Sequence, residues 1–301
     1  MKIEYSSKVK AAMDNGKPVV ALESTIISHG FPYPENIALA NEMEAVIEAE
    51  GAVPATIAII DGVIKCGLEE AELKKLASSG DVMKCSVRDL PLVISEGKTG
   101  ATTVASTSFI AAKAGIKVFA TGGIGGVHRA EEGGNGFDIS ADLLELSRTP
   151  VAVVAAGAKS ILDLPATMEV LESYSVPVIG YETDEFPAFH CRTSGLKLPA
   201  SAGDMDALGK MVAAHFDMEL PSGLLVCNPI PHENAMSEEE VEGLIKAAQE
   251  EAINAGVKGA AMTPYILGAL NRLSGGKTSE VNHALALNNG KVAAKLAAIL
   301  G

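Results

Sequence analysis

VAVVAAGA, residues 151–158, is apolar or glycine at every position. A strand with one wet face alternates apolar and polar side chains. A run without that alternation belongs to a strand covered on both faces. Comparable runs recur in PVVALEST (18–25), ATIAII within 55–67, KVFAT after 116, PVIGYET (177–183) and GLLVCNPI (223–230). Between them lie helical patterns: NIALANEMEAVIEAEG (36–51), EEAELKKLASSG (69–80), TVASTSFIAAKAG (103–115), ADLLELSR (141–148), PATMEVLESYS (165–175), MSEEEVEGLIKAAQEEAINAG (236–256) and VNHALALNNGKVAAKLAAIL (281–300). Segment 55–67 reads as a strand pair. Alternation of buried strands with helices predicts a layered α/β domain. No repeat or linker divides the 301 residues, so one domain is expected.

The core has to be built from small aliphatic side chains. Hydrophobic residues make up 48% of the chain, yet aromatics are only 4% and Trp is absent. A net charge of −14 without a Lys/Arg cluster excludes a nucleic-acid polymer as partner and disfavours an anionic membrane surface. One phosphate on a small ligand remains compatible, since a few cations or amides suffice for it. Cys66, Cys85, Cys191 and Cys227 form no CxxC, so reduced core thiols in a cytoplasmic protein are expected. No signal-type or bilayer-length apolar stretch occurs.

Lys159 follows the apolar run directly. A lysine there allows two readings: it snorkels from the sheet edge, or it is chemistry. In water its pKa is ~10.4, and lowering it by ~3 units takes about 4 kcal/mol of differential interaction. A deprotonated amine is the nucleophile for a Schiff base with a sugar carbonyl. SILD (160–163) fits a capping box, which predicts a helix turn starting beside the lysine. Glu23 sits at the end of a predicted strand, where ligands of open α/β sheets gather. Shielded by Leu22 and Ile26, it suits a general acid; the plainer reading is a surface glutamate. His29 reads as structural.

Ser140 is a good N-cap for ADLLELS, which leaves free amides at residues 140–142 as an anion site. Asp142 in the first turn complements the helix dipole. Asp138 just before the cap would repel an anion unless a divalent cation, Mg²⁺ or Mn²⁺, lies between them. The glycine loop ATGGIGGVHRAEEGGNGFD is a tight turn or a phosphate approach. Lys84 and Arg88 are spare cations, each either meeting a phosphate or simply solvated.

Together, ALESTIISHGFPYPEN, KCSVRDLP, TGATTVAST, ATGGIGGVHR, FDISADL, VVAAGAKSILDLPATMEVLE, NPIP and GGKTSEVNHALALNN resemble the pseudouridine-5′-phosphate glycosidase family along nearly the whole chain. The resemblance implies reversible cleavage of the C–C glycosidic bond of pseudouridine 5′-phosphate to uracil and ribose 5-phosphate. It implies Lys159 as the Schiff-base nucleophile, Glu23 as proton donor and Asp138 as ligand of a divalent metal, typically Mn²⁺. It implies substrate contacts at Lys84, Val104, Thr121, Ser140, Ala141, Asp142 and Asn282. It further implies a homotrimer and a three-layer α/β/α fold around a mixed central sheet. Another Schiff-base lyase or aldolase on a sugar phosphate, or a non-catalytic nucleotide-binding protein, stands as the alternative.

Overall fold

The computed structural model describes residues 1–129, 138–257 and 262–301. Its strands are β1 Ile3–Tyr5, β2 Val19–Leu22, β3 Val53–Ile60, β4 Val63–Cys66, β5 Met83–Cys85, β6 Gly100–Thr102, β7 Val118–Ala120, β8 Val127–His128, β9 Ala152–Ala155, β10 Leu162–Asp163, β11 Val178–Tyr181, β12 Ala200–Ala202 and β13 Leu224–Cys227. The main sheet runs β1-β4-β3-β2-β7-β9-β13-β11-β12, with β6 pairing β3 and β5 pairing β6. From β3 through β12 along that order, all neighbours are parallel. The sheet turns mixed at β3, whose second half pairs antiparallel with both β4 and β6.

The β3–β4 hairpin is the strand pair expected at 55–67. It closes on Asp61 and Gly62, both with positive φ (51° and 78°). That is the backbone a two-residue primed turn requires, and Asp-Gly is a favoured pair for it.

The helices are α1 Ser7–Asp14, α2 Glu35–Ala49, α3 Glu70–Ser78, α4 Leu90–Ser95, α5 Val104–Ala114, α6 Ala141–Leu146, α7 Leu164–Ser173, α8 Met205–Asp217, α9 Glu238–Asn254, α10 Met262–Leu273 and α11 Lys277–Leu300. Side-chain oxygens of Ser6, Thr103, Ser140, Asp163, Asp204 and Ser237 accept from backbone amides in the first turns that follow them. Helices cover both faces of the sheet. Every residue of β9 and of β13 is fully buried, which no strand with an open face can be. α11 packs on α2, β7 and β9, while α5 packs on α6, β2 and β3. The three-layer expectation thus holds. The core is aliphatic as composition demanded: Phe119 and Phe186 are the aromatic side chains among its largest fully buried members.

One local expectation fails. SILD does not open a helix at Ser160. Residues 160–161 form a turn, Leu162–Asp163 pair antiparallel with Val127–His128, and α7 starts at Leu164 with Asp163 as its cap. Ser160 turns its hydroxyl instead to His190 Nδ1, at 2.9 Å. Helices α1, α4, α8 and α10 were not foreseen.

Candidate active site

Four neighbouring parallel strands, β2, β7, β9 and β13, deliver the chemistry at their C-terminal ends. Glu23 follows β2, Thr121 follows β7, Asn228 follows β13, and Lys159 lies four residues beyond β9. Between β9 and Lys159 the chain must turn tightly. Gly157 has φ +72°, and a methyl there would run into the carbonyl of Pro187. The turn is pinned by hydrogen bonds from Ile124 N to Gly157 O at 3.0 Å and from Lys159 N to Ile124 O at 3.1 Å.

These ends open on a cavity of about 590 Å³. Glu23, Lys84, Lys159 and Asn282 all line it, so four predicted site residues meet in one place. Thr121 stands behind Glu23 and donates its hydroxyl hydrogen to the carboxylate. The glycine loop supplies Gly122 and Gly123 to the wall, and α10 and α11 supply Asn271, Thr278 and Ser279. Part of that loop, residues 130–137, lies outside the described residues.

Two lysines and one glutamate meet in the cavity. Burial holds the Glu23 carboxyl above the usual carboxylate range; the Lys159 charge and the Thr121 hydrogen bond pull against it, and the Asp142 charge adds to it. Burial pushes the Lys84 ammonium below the ordinary lysine range, and the charge of Lys159 pushes it further, against Glu23 and Asp142. Lys159 takes part in no ion pair among the described residues. Its amine is therefore not consumed by a structural partner.

The expected anion site is built differently from the expectation. Ser140 does cap α6, accepting from Asp142 N at 3.2 Å. Asp142, however, is buried, and does more than face its own helix end. Its two carboxylate oxygens accept from Ala105 N and Gly125 N, each at 2.9 Å, tying the start of α5 to the glycine loop. Val104 opens α5 and is buried; Ala141 is exposed. Ser140, Ala141, Asp142 and Val104 stand outside the lining of the cavity that holds Lys159. Asp142 is still near enough for its charge to act on Glu23 and Lys84.

Asp138 is exposed, and its carbonyl accepts from His128 N at 2.9 Å. Among the described residues, no three His, Cys, Asp or Glu side chains are grouped to hold a metal. A single exposed carboxylate suits an ion held mainly by water and substrate phosphate. Arg88 is not part of the cavity lining; it is exposed and paired with Asp89 at 3.5 Å. All four cysteines are buried free thiols. No helix among the described residues is long and apolar enough to cross a membrane.

Two histidines escaped the sequence reading as cavity residues. His29 lines the mouth near Lys84, and burial, then the Lys84 charge, lowers its pKa. His190 lines the cavity yet is almost wholly buried, edge-on to Phe189, and burial pushes it down to about 4. No local pattern around His190 marks it; its partner Ser160 is 30 positions away. A second cavity of about 320 Å³, reached by Ser160, Arg129, Asp163 and Glu242, contains no lysine.

Comparison with known proteins bears on this constellation. The chain matches the family model described as indigoidine synthase A like protein over residues 8–299. It is 51% identical over 298 residues to a pseudouridine-5′-phosphate glycosidase of Alkaliphilus metalliredigens, covering 99% of this chain and 96% of the relative. It is 52% identical over 295 residues to one of Staphylococcus aureus, covering 98% and 95%. Among solved structures, the prealnumycin C-glycosynthase AlnA in complex with ribulose 5-phosphate superposes with a TM-score of 0.91 at 38% identity, over 99% of this chain and 96% of that one. An indigoidine synthase A-like protein of Thermotoga maritima gives 0.88 at 36% identity, over 98% and 95%. The chain belongs to the family of pseudouridine-5′-phosphate glycosidases and indigoidine synthase A-like proteins.

Proposed function

We propose that this protein cleaves the C–C glycosidic bond of pseudouridine 5′-phosphate, giving uracil and ribose 5-phosphate, through a covalent adduct on Lys159. One observation carries the reading: Lys159 and Glu23, from two different strand ends, line one cavity with Lys84 and Asn282. An aryl-type C–C bond lacks the oxygen leaving group on which paired-carboxylate glycosidases rely. An amine on C1′ changes the chemistry, because its lone pair can expel the base.

In this mechanism Lys159 Nζ bonds C1′ as the C1′–O4′ bond breaks and the pentose opens; O4′ takes up a proton to become a hydroxyl, and the nitrogen gives one up. Glu23, whose carboxyl burial raises above its ordinary range, protonates C5 of the uracil ring. The C1′–C5 bond then breaks, its electron pair stays with the base, and the nitrogen lone pair closes a C1′=N imine. Water hydrolyses the imine, releasing ribose 5-phosphate and the free lysine. Run backward, the same steps form the bond.

Lys84 supplies positive charge for the phosphate. Ser140, Ala141, Asp142 and Val104 belong to the phosphate side in this reading, with Asp142 shaping it through the backbone of Ala105 and Gly125. Thr121 orients Glu23, and Asn282, whose buried Oδ1 has no partner among the described residues, awaits a donor from the ligand. A manganese ion on Asp138 would screen the phosphate charge. A homotrimer also belongs to the reading, tested by sedimentation. Release of uracil from pseudouridine 5′-phosphate, followed by its ultraviolet absorbance, tests the activity. A protein that cleaves only aldol substrates, or that binds the nucleotide and returns it intact, is not this enzyme.

A further inference from the structure

Asn289 is fully buried in α11, among buried helix residues that are mostly aliphatic. A buried carboxamide is costly unless its polar atoms are bonded. Here Nδ2 donates to Thr121 O at 2.7 Å and to Gly122 O at 3.2 Å. Oδ1 accepts from Asn228 Nδ2 at 2.9 Å. The groups it holds are themselves tied to the sheet. Thr121 N donates to Val154 O at 3.0 Å, Ala156 N to Gly122 O at 2.9 Å, and Asn228 N to Ala155 O at 2.9 Å. One side chain thus links the ends of β7, β9 and β13 to the helix that brings Asn282 to the cavity.

Packing alone does not ask for this. A leucine at that helix position would fill the core equally well; what it would lose is the bonds to the Thr121 carbonyl and the Asn228 amide. What distinguishes Asn289 is which carbonyls it grips. They belong to the residue whose hydroxyl donates to Glu23, and to the next residue in the cavity wall. A hydroxyl can direct a carboxyl only if its own backbone is fixed.

We infer that Asn289 is a positioning residue: it locks the Thr121–Gly122 peptide so that the Thr121 hydroxyl keeps the Glu23 carboxyl aimed at the departing base. The inference rests on the reading of Glu23 as the acid. Asn228 sets the orientation of the Asn289 amide, because its donor must face Oδ1. The charges that face Glu23 are Lys159, Lys84 and Asp142, and none of them touches Asn289 among the described contacts.

The test uses two reactions of the same protein. Cleavage of pseudouridine 5′-phosphate needs a proton delivered to the base. Trapping of ribose 5-phosphate on Lys159 with borohydride does not, because no base departs. Asn289→Leu is expected to lower kcat for cleavage by roughly 10–100-fold with little change in KM. Trapping should stay at the wild-type level, and circular dichroism should be unchanged. Thr121→Val should give the same pattern, and the double variant should be no slower than the slower single one. Should Asn289→Leu not fold, Asn228→Leu takes its place with the same expected pattern. The inference is overturned if trapping and cleavage fall together, if the two effects multiply, or if cleavage is unaffected. Failure of the underlying reading looks different: wild-type protein is then not trapped, or Glu23→Gln cleaves at the wild-type rate.

Discussion

Ser160 Oγ lies 2.9 Å from His190 Nδ1, joining the residue after Lys159 to a ring buried 30 positions away. Burial lowers this histidine to about 4, from an ordinary 6.5. The native fold therefore binds its proton later than the unfolded chain does. Stability is fully present above pH ~6.5 and is lost as pH falls toward 4.

His190→Phe should remove that acid sensitivity. Its stability relative to wild type should be flat above neutrality and rise between about pH 6.5 and 4, by up to roughly 3 kcal/mol. Urea unfolding at a series of pH values reads this. A constant difference across the range contradicts the assignment of a neutral, buried ring.

Glu23 titrates with the opposite sign of shift. Its native carboxyl is raised by burial, so the stability it contributes is present below the ordinary carboxylate range and is lost as pH rises through its native value. Glu23→Gln should therefore melt higher than wild type at neutral and alkaline pH, the gain vanishing near pH 4. Activity should fall about 10²–10⁴-fold, as expected for loss of a general acid. A variant that is both less stable at pH 8 and fully active would overturn both halves.

Asp142 satisfies two backbone amides from distant segments. Asp142→Asn keeps the size but turns an NH₂ toward one of them, leaving a buried N–H unbonded. A loss of about 1–3 kcal/mol is expected. Binding of inorganic phosphate should weaken as well, because Ala105 and Gly125 lose their anchor. Unchanged stability in thermal melts would remove Asp142 from this structural role.

Metal dependence tests Asp138. Chelation should abolish cleavage, and Mn²⁺ should restore it to wild type. Asp138→Asn should need at least 10-fold more Mn²⁺ for half-maximal rate, since one charged ligand is gone. An enzyme indifferent to chelator excludes Asp138 as an essential ligand.

The legible parts of this molecule were those written locally. Apolar runs without alternation announced strands covered on both faces, and β9 and β13 are buried at every residue. Strand ends placed Glu23 and Lys159 at the rim where ligands collect. Parts settled by distant partners were not legible. SILD reads as a capping box that opens a turn beside Lys159, yet Asp163 caps α7. Ser160 bonds instead to His190, 30 positions away. Asp142 reads as an ordinary first-turn acid, since its partners at 105 and 125 leave no trace around it. Asn289 drew no reading from its sequence neighbours, and only the fold shows the carbonyls it binds. His190 carries no motif at all.

The account stands on Lys159 as the nucleophile, and covalent capture addresses it directly. The protein is incubated with ribose 5-phosphate, reduced with borohydride, digested and mapped by mass. The expected result is one pentose phosphate added, minus water and plus two hydrogens, on the peptide containing Lys159, and none on Lys159→Ala that folds normally. Label on Lys84 alone, or no label with intact cleavage of pseudouridine 5′-phosphate, would contradict it.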